Sequence, residues 1–419
     1  MEVYKSWNLL RTIHISILFL IYLSCASPGN DNDRVISEPL DVQKVKTIAV
    51  SSIVPGAERV GKYVPLLKDK RVGLVVNHTS KIQHKHVLDS LLELDVDVKK
   101  VFAPEHGFRG EEDAGAKITD AKDPKTGIPI ISLYGSKKAP TEEDLADLDV
   151  IIYDIQDVGA RFYTFISTMH HVMQACADYG KQFIVLDRPN PNGYYIDGPV
   201  LDLKFQSFVG MHPIPVVYGL TCGELAQMIN GAGWLENGKQ CDLTVIPCHN
   251  YAHSMTYDLP VPPSPNLPNL RAIMLYPSLC FFEPTIVSIG RGTQDQFQVI
   301  GHPDYGLGAY LFTPRPQPGA QKPKLNGVQC NGTNLTGLDP AQVKAWKQLN
   351  LSYLIQFHQR LKDKHTFITN PSFFDKLAGT DQLRKQLIAG YSEEQIRSSW
   401  AADLEAYKEL RRKYLIYDL

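Results

Sequence analysis

The chain has 419 residues, 43% of them hydrophobic and 21% charged, which is enough apolar material to bury one large core or two ordinary ones. A formal net charge of −2 at pH 7 leaves no basic excess of the kind that neutralising a phosphate backbone demands, and this excludes nucleic acid as a partner. Long polar or low-complexity tracts are absent, so the composition is that of an ordinary folded protein.

In chain order, Lys5 and Arg11 precede an apolar stretch from Ile13 to Leu23 that ends at Ser24-Cys25, the layout of a signal peptide. The stretch is short for a membrane span and runs into the polar segment Gly29 to Arg34. Leu23-Ser24-Cys25 is similar to the processing site of bacterial lipoproteins, in which the Cys becomes the lipid-bearing first residue, although Tyr22 stands where that pattern has a small aliphatic side chain. The alternative is plain secretion with Cys25 removed. Residues 1–25 are thus expected as the signal, 26–47 as a linker, and the mature chain as an exported protein, periplasmic or anchored to a membrane through a lipid on Cys25.

From residue 48 onward, unbroken apolar runs alternate with helical patterns, which predicts a parallel sheet. Strands are expected at 71–77, 98–103, 128–133, 149–154, 182–187 and 242–246. Helices are expected around 84–94, after Thr141 with Asp144 three residues on, from about Thr164 to Tyr179 with Gly180 as its stop, and after Thr221 with Glu224 three residues on. This is a Rossmann-like α/β layout, expected over 48–262. It carries neither Gly-x-Gly-x-x-Gly after the first strand nor a phosphate-binding Gly-x-x-x-x-Gly-Lys loop, so no nucleotide cofactor is implied. The Pro-rich segment Leu259 to Pro268 reads as a stiff linker. A smaller C-terminal α/β or α+β domain is expected over 263–419, loop-rich to 336, with helical patterns at 340–347, 380–389 and 392–415. The stripe Trp400, Leu404, Tyr407 and Leu410 reads as core packing.

Six cysteines follow Cys25, without CxxC pairs or histidines at zinc spacing, and most stand in apolar surroundings that suit small buried side chains. His78, His106, His170 and His171 show no metal-ligand spacing with carboxylates, so neither metal nor cofactor is expected. Nothing in the pattern specifies an oligomeric state.

In open parallel sheets the reactive groups gather at the carboxyl ends of the strands. Here those ends run into Asn77-His78, Glu105-His106, Asp154-Ile-Gln156-Asp157 with Arg161 and Tyr163 beyond, and Asp187-Arg188-Pro-Asn190. Glu105, leaving an apolar strand between Pro104 and Gly107, is the leading candidate for a general acid in a partly desolvated setting, with a salt-bridged or helix-capping glutamate as the competing reading. Asp154 and Asp157 suit orienting a histidine, binding sugar hydroxyls or satisfying the amides of their own loops, and Asp154 is also a catalytic candidate, for assisting the attacking water or an oxocarbenium-like transition state. Arg161 and Arg188 suggest a carboxylate or phosphate on the ligand, or ion pairs with Asp154 and Asp187. In the second half, Glu283 is the second candidate carboxylate and Arg291 its candidate salt-bridge partner. Glycoside cleavage commonly uses two carboxyl groups flanking the scissile bond, and one from each domain would put the reaction in an inter-domain cleft.

Four segments, Phe102-Ala-Pro-Glu-His-Gly-Phe-Arg-Gly110, Tyr153-Asp-Ile-Gln-Asp-Val-Gly-Ala-Arg-Phe-Tyr163, Asp187-Arg-Pro-Asn-Pro191 and Ser288-Ile-Gly-Arg-Gly-Thr293, resemble those of exo-β-N-acetylmuramidases of the NamZ type. The resemblance covers about 70–419, including Phe374-Asp-Lys-Leu-Ala-Gly-Thr380 and Ser399-Trp400. It implies removal of terminal N-acetylmuramic acid from the non-reducing end of peptidoglycan fragments, in a cleft between a Rossmann-like and a smaller domain. It also implies Glu105 as the acid/base. The lactyl carboxylate of muramic acid fits a role for Arg161, Arg188 or Arg291. The chain departs from the family pattern at Gln296, where a Pro often precedes the Phe, and at Glu283-Pro284, where Glu-Gly is usual. The alternative function is a surface lipoprotein that binds cell-wall sugars without cleaving them.

Overall fold

Aliphatic runs with no polar alternation, such as Val72-Gly-Leu-Val-Val76, need cover on both faces, and a parallel sheet flanked by helices gives it to them. The computed structural model describes residues 52–105, 107–108 and 121–419. The signal and linker segments, Cys25 and His106 lie outside the described residues.

The first half contributes β1 (Val72–Val76), β2 (Lys81–Ile82), β3 (Lys85–His86), β4 (Val98–Ala103), β5 (Ala121–Lys122), β6 (Pro129–Ser132), β7 (Val150–Asp154), β8 (Gln182–Leu186) and β9 (Asp242–Ile246). Strands β2 and β3 form a small hairpin of their own, and the other seven make one sheet in the order β5-β6-β4-β1-β7-β8-β9. Only β5 runs antiparallel to its neighbour. The remaining six, ranked by their place in the chain, lie as 3-2-1-4-5-6, the doubly wound order, which reverses between β1 and β7. Every residue of those two central strands is buried. The expected capping boxes form at Thr141 and at Thr221, and the helix Phe165–Tyr179 stops at Gly180, whose φ of 62° is the left-handed conformation that glycine adopts freely.

The second half is more regular than its sequence suggests. The stretch expected as loop-rich contains the helix Leu270–Leu279 and three strands, β10 (Val299–His302), β11 (Tyr310–Phe312) and β12 (Cys330–Asn334), paired antiparallel in the order β10-β12-β11. Pro277 inside the helix and the polar sequence Cys-Asn-Gly-Thr-Asn of β12 both work against local propensity, and tertiary packing and pairing override them. Helices Ser352–Leu361 and Pro371–Ala378 also form, and the single long pattern at 392–415 breaks into Glu393–Ser398 and Ala401–Arg412. At the break the Trp400 indole N–H donates to Asp197 Oδ1 at 3.2 Å.

One face of the sheet packs Leu74, Val101, Ile152 and Ile184 against the helix Val87–Glu93. On the other face a single apolar cluster runs from Val75, Phe102 and Ile151 through Phe281 and Phe282 to Phe374, Trp400 and Tyr407. The C-terminal half therefore shares a core with the sheet, and this brings its loops to the carboxyl ends of the strands.

Candidate active site

The switch point between β1 and β7, where doubly wound sheets commonly hold a ligand, is filled by the chain's own side chains. Asp154 ends β7 fully buried and takes a two-pronged ion pair from Arg188, Nε to Oδ1 at 2.5 Å and Nη2 to Oδ2 at 2.9 Å, while Nη2 also donates to the carbonyl of Lys81. Asn77 accepts from the backbone N–H and hydroxyl of Thr79, Gln156 donates to the carbonyls of Asp157 and Pro189, and Asn190 donates to that of Leu220. All three are buried. These contacts shape the loops, and none of Asp154, Asn77, Gln156, Asn190 and Arg188 lines the cavity that holds Glu105.

Arg161 is likewise absent from that lining. Its side chain is completely buried and donates to the carbonyls of Pro199, Ile214 and Leu377, joining three distant segments, and burial lowers its pKa to about 9. Gly379 is obligatory beside it, since a Cβ there would stand 2.6 Å from Arg161 Nη2 on a backbone with φ of 74°. His78 lies elsewhere too, its Nε2 2.8 Å from the carbonyl of Pro262.

Four of the expected residues do meet. Glu105, Tyr163, Glu283 and Arg291 line one cavity of about 190 Å³. Glu105 follows β4, and the hydroxyl of Thr164, at the start of the helix Phe165–Tyr179, donates to its Oε2 at 2.6 Å. The Tyr134 hydroxyl donates to the same carboxylate, and burial together with that negative charge raises the tyrosine's pKa. Glu283 is delivered by the turn that closes the helix Leu270–Leu279. Arg291 stands between two left-handed glycines, Gly290 at φ 79° and Gly292 at φ 82°, and Thr293 closes the turn by donating its N–H and hydroxyl to the carbonyl of Gly290.

Arg291 Nε lies 2.9 Å from Glu283 Oε1, yet the pair is out of hydrogen-bond alignment, and among the described residues neither atom has another hydrogen-bond partner. Burial works against the arginine's charge, but Glu283, with help from Tyr276, Cys280 and Glu105, leaves its pKa raised. Asn266, a further wall residue, is buried, gives its amide N–H to the carbonyl of Gly319, and has no partner for Oδ1 among the described residues. Buried polar atoms without partners on a cavity wall are the natural contacts for a polar ligand. Aromatic rings complete the wall: Tyr276 packs edge-on against Phe162 at 5.2 Å and Phe297 at 5.0 Å, and Tyr163 against Phe165 at 4.8 Å. The Pro-rich stretch expected as a linker thus supplies Ser264, Asn266 and Leu267 to this wall, and its prolines hold them in place. Thr164 and Tyr134, both missed in the sequence, stand directly after quoted motifs or strands, which is the signal that marks them.

All six described cysteines are free and buried. Among the described residues, His302, Asp304 and His365 bring possible metal-ligand atoms within 4.8 Å of one another. His365 Nε2 already lies 2.7 Å from Asp304 Oδ2, and none of the three lines the Glu105 cavity.

Behind the cavity, Asp157 accepts from Gly159 N and the Tyr218 hydroxyl, and burial raises its pKa to about 6. Because the folded value lies above the ordinary 3.8, the contribution to stability is present below about pH 4 and lost as pH rises through about 6. Asp157→Asn keeps both accepted bonds and carries no charge. Its stability relative to wild type should rise by about 3 kcal/mol between pH 4 and pH 7 in denaturant titrations, and a difference independent of pH would refute the assignment.

An aromatic-walled cavity off a doubly wound sheet, with carboxylates from two distant parts of the chain and an arginine beside them, defines a site of glycosidase type. Family models agree: exo-beta-N-acetylmuramidase NamZ, N-terminal, matches residues 72–271, and the C-terminal model of the same family matches 274–417. The chain belongs to the NamZ family. The peptidoglycan beta-N-acetylmuramidase NamZ of Bacillus subtilis (strain 168) is 37% identical over 421 aligned residues, covering 95% of this chain and 96% of that one. Two crystal structures of DUF1343 family proteins from Bacteroides fragilis NCTC 9343 are similar. One has a TM-score of 0.82 at 48% identity over 88% of this chain and 99% of the other. The second has a TM-score of 0.74 at 30% identity over 87% and 99%.

Proposed function

We propose that this chain is an exo-β-N-acetylmuramidase that releases terminal N-acetylmuramic acid from the non-reducing end of peptidoglycan fragments. The observation that carries the reading is the convergence of Glu105 and Glu283, 178 positions apart in the numbering, on one small aromatic-walled cavity. A cavity of that size suits a terminal sugar unit better than a continuous strand.

Glu105 gives its proton to the bridging oxygen as the glycosidic bond breaks, so the leaving sugar departs as an alcohol. Glu283 supports the attacking water or the oxocarbenium-like transition state on the other side of the ring. Arg291 offers five N–H donors, enough to serve Glu283 and the lactyl carboxylate of muramic acid together. Asn266 Oδ1 accepts from a sugar N–H or hydroxyl. Incubation with the peptidoglycan disaccharide that carries N-acetylmuramic acid at its non-reducing end should yield both free sugars, whereas a binding protein would return the disaccharide whole.

We further propose export, supported by Lys5, Arg11 and the apolar run to Leu23, with Cys25 as a lipid attachment point. Among the described residues no helix is long and apolar enough to cross a membrane. Detergent-phase partitioning of the mature protein should be lost on Cys25→Ser, and equal partitioning of both would refute the anchor.

A further inference from the structure

Lys324 is about 40 residues beyond Glu283 in the chain, yet its Nζ donates into the backbone of the segment that carries that glutamate. It reaches the carbonyls of Phe282 at 3.0 Å, Glu283 at 3.1 Å, Thr285 at 2.5 Å and Val287 at 3.0 Å. Four carbonyls around one ammonium form a cage of the kind that holds a bare cation. No carboxylate side chain is within ion-pairing distance of Lys324 among the described residues, so the charge is spent on the backbone. That backbone leads from the Glu283 turn towards Ser288 and the Gly290-Arg291-Gly292 turn, so both polar groups of the second cavity wall hang from it.

We propose that Lys324 is a positioning residue, whose protonated amine gathers the 282–287 carbonyls and thereby sets Glu283 against Arg291 and the sugar. The proposal rests on the reading that Glu283 acts in the reaction. An ammonium has three protons to give and suits an all-acceptor cage, whereas a neutral amine turns a lone pair towards one of those carbonyls and loosens the grip. Burial pushes the Lys324 pKa down to about 8, Glu283 opposes that fall, and Arg291 adds to it. Among the described residues those two are the charged groups that face it. The cage should therefore weaken as pH rises past about 8, and turnover should fall with it.

The test measures kcat and KM for the disaccharide across about pH 5 to about pH 10 for wild type, Lys324→Met, Lys324→Arg and Glu283→Gln, each checked by thermal melting. Wild type should lose kcat on the alkaline side with a midpoint near pH 8. Lys324→Met should lose about 10-fold or more in kcat and show no such limb, since a misplaced group is costly even when retained. Lys324→Arg, which stays charged, should keep more activity and move the limb to higher pH. A folded Lys324→Met protein with wild-type kcat and the wild-type alkaline limb would overturn the proposal. If that variant does not fold, a Lys324→Arg limb at the wild-type midpoint overturns it equally. Glu283→Gln separates the two claims. Full activity there sinks the role of Glu283 and this proposal with it, while lost activity there beside an unaffected Lys324→Met sinks the role of Lys324 alone.

Discussion

Glu105→Gln should melt as wild type does and lose about 10²–10⁴-fold in kcat on the peptidoglycan disaccharide, the range that a positioned general acid or base contributes. The amide keeps an oxygen to accept from Thr164 and Tyr134, so these two contacts survive while the transferable proton is gone. An aryl muramide should suffer less than the disaccharide, because a phenolate leaves without needing a proton whereas a sugar alkoxide does not. Equal losses on both substrates would move Glu105 from acid to another role. Unchanged turnover on the disaccharide would remove it from the reaction altogether.

Asp154→Ala should act on stability rather than on chemistry. It leaves the buried Arg188 guanidinium with the backbone carbonyl of Lys81 as its remaining hydrogen-bond acceptor among the described residues, and an uncompensated charge in the interior costs about 3–5 kcal/mol. Urea titration should show the loss in full, while kcat per folded molecule stays near wild type, since Asp154 does not line the Glu105 cavity. Replacing both partners with apolar residues of similar volume should recover a large part of the loss, because the charge that had no partner is removed as well. A stable Asp154→Ala protein with no activity would instead return Asp154 to the catalytic group.

The division between these two residues shows what the sequence could and could not tell. Parallel strands buried on both faces read as unbroken apolar runs, and Thr141 and Thr221 announce their helices through side chains three residues apart, so the Rossmann-like half was legible from local pattern. The antiparallel strands of the second half were not. Each is three to five residues long, and β12 is formed by its partners β10 and β11 more than by its own composition. Among the polar residues at strand ends, Glu105 and Arg161 look alike in the chain. What separates them is that the carbonyls of Pro199, Ile214 and Leu377, up to 216 residues away, close around the arginine, whereas a cavity opens beside the glutamate. Asn266 was hidden for a different reason, because a run of prolines signals stiffness without saying whether the stiff segment faces solvent or a ligand.

The most direct measurement is a crystal structure with N-acetylmuramic acid bound. The sugar should lie against the Tyr163 and Tyr276 rings, with the Glu105 carboxyl group beside its anomeric oxygen, Glu283 across the ring and the lactyl carboxylate on Arg291. Density for the sugar in any other cavity, away from Glu105, would contradict the assignment.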